Sequence, residues 1–365
     1  MNLIYLSPVP WESFAQRPHK FVDWFHRRTS GDVLWVDPYP TRLPAWQDFR
    51  QILKPSVMQK IDPSPSWLHI LKPGGVPVEP LPGINAVNGL LWKRTLTLIR
   101  DFSSKTGTFL VIGKPSKLAM MVLKDFDGEQ SVYDAMDDFP SFYTGISIAS
   151  MSRREALIVQ KVDALWVSSS HLEERWRGSH GKVCLVRNGL DPSVLYRDRV
   201  EQHSHKKVFG YVGTLASWFD WEWIEALSDA RPGDEIRLIG PLLRRPPRKL
   251  PDNVQLWPAC DHPSAMKAIT GFDVGLIPFK QSTLTASVDP IKYYEYRAAG
   301  LPVISQDFGE MSLRQGERGV FISQSLEDIA GLTEAALGFH EKEQDSCAFI
   351  RLNTWDARFD SAELF

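Results

Sequence analysis

Short runs of apolar residues alternate with longer amphipathic stretches along the whole chain. In the first half, runs typical of buried strands occupy 2–6, 33–36, 67–71, 108–112, 130–133, 164–168 and 182–186. Between them, the periodicity of apolar positions predicts helices at 16–28, 86–103, 115–124, 147–161 and 170–177. Such alternation is typical of parallel sheets joined by crossover helices.

A polar segment at 197–207 interrupts this pattern and is typical of an interdomain linker. The alternation then restarts, with predicted strands at 208–212, 235–239, 253–256, 273–277 and 301–304, and predicted helices at 219–229, 262–270, 289–299 and 325–337. The Pro-rich stretches 38–66 and 72–85 have no assignable pattern. We therefore expect an α/β protein of two doubly wound parallel-sheet domains, with ligands at the carboxyl ends of the strands and in the cleft between the domains.

Composition excludes several classes of protein. The 365 residues can form two substantial cores, and the net charge of −2 provides no general basic field, so we expect no nucleic-acid partner. The N-terminus lacks the pattern of a signal peptide, and no apolar run reaches the roughly 18–20 residues of a membrane span. Cys184, Cys260 and Cys347 are far apart and show no metal-ligand spacing. These features predict a cytoplasmic protein.

The most informative segment is 288–304. Asp289 is expected to cap a helix that begins at Pro290. Lys292 and Glu295 follow three residues apart and therefore lie on one helix face. The free N–H groups of the first turn and Lys292 suit a diphosphate, and Glu295 can accept hydrogen bonds from ribose hydroxyls.

This string resembles the donor-nucleotide helix of family 4-like GT-B glycosyltransferases, whose pattern is K-x-x-E-x-x-A-x-G-x-P-V-I. The pattern falls here on Lys292, Glu295, Ala298, Gly300, Pro302, Val303 and Ile304. The resemblance implies the GT-B fold, with two facing Rossmann-like domains and an interdomain cleft. It implies an acceptor domain at 1–196, a nucleotide-sugar domain at 206–344, and a C-terminal helix within 345–365 that packs back on the first domain.

Gly213, Thr214 and Lys280 extend the expected donor site, and Asn188 is expected at the acceptor side or at the cleft. The segment 208–220 resembles the opening strand and turn of the same enzymes' nucleotide domain, G-Y-x-G-x-x-x-x-W-x-D, which places Gly213 and Thr214 at a phosphate. A glycine in such a turn is also common in any α/β fold. Lys280 follows a predicted strand and could bind a phosphate or an acidic sugar, or could simply be a solvated lysine. Asn188 lies in a string similar to P-N-G-V-D, either as a plain turn at the cleft edge or in ligand contact.

An acidic cluster follows a first-domain strand. Asp134, Asp137 and Asp138 have an aromatic rim, namely Tyr133, Phe139, Phe142 and Tyr143. The string resembles the Y-D-x-x-D-D/E segment of bacterial exopolysaccharide and teichuronic-acid glycosyltransferases. The resemblance implies that Asp137, or secondly Asp138, deprotonates an acceptor hydroxyl, with Tyr133 and Asp134 at the cleft. A structural turn, helix capping or a divalent-metal site are the alternatives, and the resemblance implies that no metal is needed.

The first loop contains Gln16-Arg17-Pro18-His19, which resembles the opening loop of the same subgroup. Arg17 could bind a diphosphate, and His19 could act as a polar ligand or a base, although a lone histidine is often structural. Residues 90–100 combine apolar positions with three basic ones, Lys93, Arg94 and Arg100. That helix could lie on an anionic membrane surface, or it could pack on the core with a solvated basic edge.

The resemblance implies a metal-independent, hexosyltransferase-type enzyme. It would move a sugar from a nucleotide diphosphate sugar, with a UDP-sugar favoured, to a hydroxyl of a lipid-linked or other glycan acceptor in bacterial surface polysaccharide synthesis. No cofactor beyond this co-substrate is expected, and the enzyme would work in the cytoplasm with peripheral contact at the inner face of the membrane. Retaining members carry Glu where this chain has Ser287, which favours inversion. The alternatives are a UDP-sugar 2-epimerase of the same architecture and a non-catalytic two-domain sugar-binding protein.

Overall fold

The chain forms two compact units. The computed structural model describes residues 1–39, 64–74, 84–105, 107–192 and 206–364. One unit comprises Met1–Val186 with Ser361–Phe365, and the other comprises Arg187–Asp360. The predicted linker at 197–207 lies almost wholly outside the described residues, as do most of the two Pro-rich stretches.

The first unit contains a seven-stranded sheet. Its strands are β1 (Asn2–Leu6), β2 (Val33–Val36), β3 (Leu68–Leu71), β4 (Thr108–Ile112), β5 (Gln130–Ala135), β6 (Ala164–Val167) and β7 (Val183–Leu185). All pairs are parallel, in the order β3-β2-β1-β4-β5-β6-β7. Adjacent residues such as Ile4 and Tyr5 point to opposite faces and are both fully buried, because crossover helices cover both faces of a parallel sheet.

The helices of the first unit are α1 (Arg17–Thr29), α2 (Ile84–Leu91), α3 (Lys93–Ser103), α4 (Lys117–Asp125), α5 (Ile146–Val159) and α6 (Ser170–Trp176), with a short 3₁₀ helix at Phe139–Phe142. The single helix predicted at 86–103 is assigned as two helices that are divided only at Trp92. Trp92 stays in the right-handed helical conformation, its N–H donates to the Asn88 carbonyl at 2.9 Å, and its carbonyl accepts from the Leu96 N–H at 2.7 Å. Its indole is fully buried and Nε1 donates to the Gly74 carbonyl at 2.6 Å.

The second unit contains a six-stranded sheet, also wholly parallel. Its strands are β8 (Val208–Val212), β9 (Glu235–Ile239), β10 (Val254–Trp257), β11 (Val274–Ile277), β12 (Val303–Gln306) and β13 (Val320–Ser323), in the order β10-β9-β8-β11-β12-β13. Its helices are α7 (Trp221–Ala230), α8 (His262–Ile269), α9 (Ile291–Ala298), α10 (Gly309–Ser312), α11 (Ile329–Leu337), α12 (Glu343–Asn353) and α13 (Trp355–Asp360). The strand order reverses between β8 and β11, which is where doubly wound sheets bind ligands.

A tyrosine joins α9 to the centre of this second sheet. A Cβ on Gly275 would lie 2.4 Å from the Tyr296 ring, so only glycine leaves room for it. The Tyr296 hydroxyl accepts a hydrogen bond from the Val212 N–H at 3.1 Å. The helix with the predicted donor motif is thereby attached directly to the end of β8.

Candidate functional site

Asp137 and Asp138 of the acidic cluster follow β5, as the sequence predicts, whereas Asp134 lies within the strand, and the three carboxylates have different environments. Asp137 is partly exposed, and among the described residues no hydrogen-bond donor or ion-pair partner meets its carboxylate. Burial raises the pKa of Asp137 to about 7; Arg17 opposes this rise, whereas Asp134 and Asp138 add to it. A carboxylate with these properties can accept a proton near neutral pH.

Asp138 is instead held by two donors. The Arg175 guanidinium lies 2.5 Å from one carboxylate oxygen, and the Ser141 hydroxyl donates to the other. Arg175 also donates to the buried Glu155 at 2.8 Å. These bonds hold the Asp138 side chain in place. Asp137 has no such partner in the described ranges and is the better candidate base.

The sequence did not indicate Arg175 or Glu155, which lie far from the acidic cluster along the chain and belong to no motif. Glu155 accepts from the Tyr133 hydroxyl at 2.7 Å, and burial raises the pKa of Glu155 to about 7, with Arg175 and Tyr133 opposing that rise. Tyr133 is fully buried. The expectation that Tyr133 rims a cleft is therefore corrected: its hydroxyl supports Glu155 inside the unit.

Arg17 and Asp134 form a buried ion pair. The guanidinium, 3% exposed, donates to Asp134 from Nε at 3.0 Å and from Nη2 at 2.8 Å. Its Nη1 donates to the Val186 carbonyl at 2.7 Å. These groups bind each other and fix the end of β5, so the predicted roles of Arg17 in diphosphate binding and of Asp134 at a cleft would require this ion pair to open.

His19 is a structural histidine. It is buried, Nδ1 accepts from the Gln16 N–H at 3.2 Å, and Nε2 lies 3.1 Å from the Trp11 carbonyl, which assigns the proton to Nε2. Burial lowers the pKa of His19 to about 4. Nδ1, the only nitrogen that could accept a proton, already caps α1, so Asp137 is the stronger candidate for the base.

In the second unit, Lys292 and Glu295 lie together on α9, as the spacing predicts. The Lys292 ammonium, 23% exposed, donates to Glu295, and the His262 Nε2 lies 3.6 Å from the other carboxylate oxygen. Burial alone would raise the pKa of Glu295, but Lys292 and His262 hold it below its usual value. Glu295 is therefore an anion and an acceptor at neutral pH. The sequence did not single out His262, whose only signal is its place at the start of a helix.

Asp289 does not cap the helix. Pro290 occupies the N-cap position and α9 begins at Ile291. The Asp289 carboxylate is buried and accepts from the Asn188 N–H at 2.8 Å, the Tyr294 hydroxyl at 2.9 Å and the Arg314 guanidinium at 2.6 Å. The predicted contact of Asp289 with donor nucleotide would require some of these bonds to be given up. Asn188, whose side chain also donates to the Asp289 carbonyl at 2.7 Å, joins this buried cluster.

Gly213 and Thr214 form the turn after β8. A Cβ on Gly240, whose φ is +144°, would lie 2.0 Å from the Gly213 carbonyl, so the two turns are in close contact. The Thr214 side chain is partly exposed and has no hydrogen-bond partner among the described residues. Its hydroxyl is available to donate to a ligand oxygen.

Lys280 follows β11, the strand beside β8 at the reversal of strand order. Its backbone N–H donates to the Trp218 carbonyl at 2.8 Å, which holds it against the loop after β8. The half-exposed ammonium lies 3.9 Å from Asp220, a weak pairing. The structure thus brings Lys280 towards the Gly213–Thr214 side of the unit with most of its charge unsatisfied.

The described residues contain neither a cluster of metal ligands nor a membrane-spanning helix. No group of three or more His, Cys, Asp or Glu side chains in these ranges is placed to hold a metal ion. No helix in the same ranges is long and apolar enough to cross a membrane.

Comparison with known proteins gives one sequence relative. No family model matches the chain. Over 220 residues it is 26% identical to TuaH of Bacillus subtilis, which is named as a teichuronic acid biosynthesis glycosyltransferase. The match covers 52% of this chain and 53% of TuaH, so the chain spans about half the length of this curated relative. It confirms the resemblance that the motifs of the sequence indicated.

Solved structures match the whole chain. Sucrose-phosphate synthase of Thermosynechococcus elongatus has a TM-score of 0.70 at 15% identity and covers 100% of this chain and 98% of its own. HepE of Anabaena, in complex with UDP-glucose, has a TM-score of 0.67 at 12% identity and covers 99% and 98%. With the two parallel sheets, these matches confirm the predicted fold class: the fold is that of the GT-B glycosyltransferases.

Proposed function

We propose that this protein is a glycosyltransferase that takes a sugar from a nucleotide diphosphate sugar. The observation that carries the proposal is the Lys292–Glu295 pair at the start of α9, with the Thr214 hydroxyl at the end of the neighbouring β8. An ammonium, a hydroxyl and a carboxylate in one unit suit the diphosphate and the ribose of such a donor. The relationship to TuaH supports this reading.

Lys292 and Thr214 would hold the diphosphate. The ammonium uses one of its three donors on Glu295, which leaves two for phosphate oxygens. The first turn of α9 adds backbone N–H groups without intrahelical acceptors. Together these groups would stabilise the leaving diphosphate without a divalent metal. Lys280 would add charge to a phosphate or an acidic sugar. A UDP-sugar is the favoured donor, because HepE was solved with UDP-glucose.

Asp137 would be the general base of an inverting reaction. Its carboxylate takes the proton of the acceptor hydroxyl as that oxygen forms a bond to the anomeric carbon. The bond from this carbon to the diphosphate breaks, and the nucleoside diphosphate leaves with the electron pair. Ser287 stands where retaining enzymes have Glu, so this position offers no second carboxylate. The Ser287 side chain is buried, and its hydroxyl has no hydrogen-bond partner among the described residues.

The acceptor would be a lipid-linked or growing bacterial surface glycan, and the protein would act in the cytoplasm at the membrane face. Helix α3 supports membrane contact, since Lys93, Arg94 and Leu98 are all exposed on it. The same relationship to TuaH favours a surface polysaccharide as product. The acceptor-binding first domain at 1–196, the donor domain at 206–344 and the return of the C-terminal segment to the first domain belong to this proposal.

A thermal-shift screen of UDP-, GDP- and dTDP-sugars tests the donor. We expect one nucleotide family to raise the melting temperature of the wild type and to lose this effect in Lys292→Ala. Lys267→Ala, which removes an exposed lysine from α8, is the matched control. If no nucleotide sugar raises the melting temperature, the proposal is wrong. Conversion of a UDP-sugar to its 2-epimer without an acceptor would identify the epimerase instead.

A further inference from the structure

A short basic loop lies against the turn after β8 but contributes none of the candidate donor-site residues described above. This basic loop, residues 241–250, follows β9 and reads Pro-Leu-Leu-Arg-Arg-Pro-Pro-Arg-Lys-Leu. It contains four basic residues and no acidic one, in a chain whose net charge is −2. Two large apolar side chains are exposed beside the charges, Leu242 at 41% and Leu243 at 54%.

The basic loop has a defined backbone. Leu215 donates to the Pro241 carbonyl at 2.9 Å, and the Leu215 carbonyl accepts from the N–H groups of Leu243 and Arg244 at 2.9 and 3.0 Å. Three prolines, at 241, 246 and 247, restrict the backbone further. The exposed leucines and arginines are therefore displayed by a preorganised segment, and a partner that binds them need not order it first.

Most of the positive charge of the basic loop is uncompensated. Its one ion pair within the described ranges joins Arg248, 80% exposed, to Glu225 at 3.5 Å. Arg244, Arg245 and Lys249 have no such partner in the part of the chain that the structure describes. The nearest acidic residue along the chain is the exposed Asp252. A net positive charge on the loop attracts anions. The exposed Leu242 and Leu243 indicate an anionic partner that also offers an apolar region.

We propose that the basic loop docks on the surface of an anionic lipid bilayer. Arginine and lysine would contact lipid phosphates, while Leu242 and Leu243 would enter the boundary between headgroups and acyl chains. Adjacent cationic and apolar side chains are typical of such interfaces. A polyanionic glycan would satisfy the charges but would leave the leucines in water, so the lipid surface is the better match.

Flotation of the full-length protein with lipid vesicles tests the proposal. The wild type should float with vesicles of phosphatidylcholine and phosphatidylglycerol at low salt, and much less with phosphatidylcholine alone. Each basic residue near an anionic surface contributes about 1 kcal/mol, or about fivefold in binding, so Arg244→Gln/Arg245→Gln should weaken binding about 20- to 30-fold. Leu242→Ser/Leu243→Ser should also weaken it, although it keeps every charge.

The matched control is Lys267→Gln/Arg351→Gln, which removes two exposed positive charges elsewhere in the second unit and should bind like the wild type. Wild-type binding by both loop variants would overturn the proposal. So would a result in which only the arginine variant fails and a soluble anionic polysaccharide competes, because the loop would then be a glycan site. Flotation needs no nucleotide, so failure of the donor screen would leave this result unaffected.

Discussion

At the residue scale, three aspartates within five positions have three different roles. Asp134 is paired with Arg17, Asp138 is held by Arg175 and Ser141, and Asp137 remains partly exposed and unpaired within the described ranges. The strand pattern was sufficient to predict that Asp137 and Asp138 follow β5, although Asp134 lies within the strand. It could not assign the roles, because the partners come from α1 and α6, far away along the chain.

Replacement of Asp137 by Asn should abolish most turnover while donor binding stays near wild type. Asn keeps the shape of the side chain but cannot take a proton, and a positioned base contributes roughly 10²–10⁴-fold in rate. Steady-state kinetics with a transferable acceptor measures the loss in kcat. Asp138→Asn is the control and should retain more activity. Normal turnover by Asp137→Asn together with an inactive Asp138→Asn would move the role by one residue.

The pH dependence of the reaction should follow Asp137. With its pKa raised to about 7, the carboxylate is protonated and inactive at lower pH, so kcat/KM should fall about tenfold per unit below that point and level off above it. Asp138→Asn removes a negative neighbour, lowers the pKa of Asp137 and should move the acid limb to lower pH. An acid limb that stays unchanged in this variant would argue against Asp137 as the titrating group.

At the element scale, short runs rich in apolar residues identified twelve of the strands. The central strands, such as β1 and β4, are apolar throughout or nearly so because a parallel sheet is buried on both faces, whereas edge strands such as β10 are partly exposed. The missed strand, β13, is only Val320–Ser323 and follows a region without a clear pattern. The helix of the donor motif was predicted at 289–299 and begins two residues later, since Asp289 is used by Arg314 and Tyr294 instead of by the helix N-terminus. Element types depended on local periodicity, whereas this boundary depended on a distant arginine.

Helix α9 should lose nucleotide affinity when either half of its polar pair is removed. Lys292→Ala deletes a charge-assisted donor to the diphosphate and should weaken nucleoside diphosphate binding by roughly 1.5–3 kcal/mol. Glu295→Ala should weaken it by loss of the ribose acceptor. Calorimetry measures both, with Lys267→Ala as control. Unchanged affinity in both variants would remove α9 from the donor site.

At the scale of the whole molecule, the repeated α/β pattern was enough to predict two units of the same type. All strands within each sheet are parallel. Polar residues that follow β5 and β8 therefore lie at the carboxyl edge of their sheets. The sequence could not show which polar residues at those edges form buried ion pairs with other side chains of the protein. Arg17, Asp134 and Asp289 all matched motifs, and all proved to be internal partners.

Membrane association through the first unit is a separate prediction from that for the basic loop. The triple variant Lys93→Ala/Arg94→Ala/Arg100→Ala should float less with anionic vesicles if α3 contacts the bilayer, since two of the three charges are unpaired in the described ranges and Arg100 has only the exposed Asp125 at 3.0 Å. Equal flotation of wild type and triple variant would rule out α3 as a docking surface. Combination with the loop variant shows whether the two surfaces act independently.

Because of the Tyr296 contact, hydrogen exchange at one backbone amide measures how firmly α9 is attached to the sheet. The Val212 N–H is protected from solvent deuterium by a side-chain hydroxyl on α9, not by a neighbouring strand. Its exchange rate therefore reports how often α9 separates from the sheet. Tyr296→Phe should speed exchange at Val212 selectively, and a nucleotide diphosphate bound at Lys292 should slow it in the wild type. Ligand occupancy could then be followed at a single amide, without turnover or an acceptor.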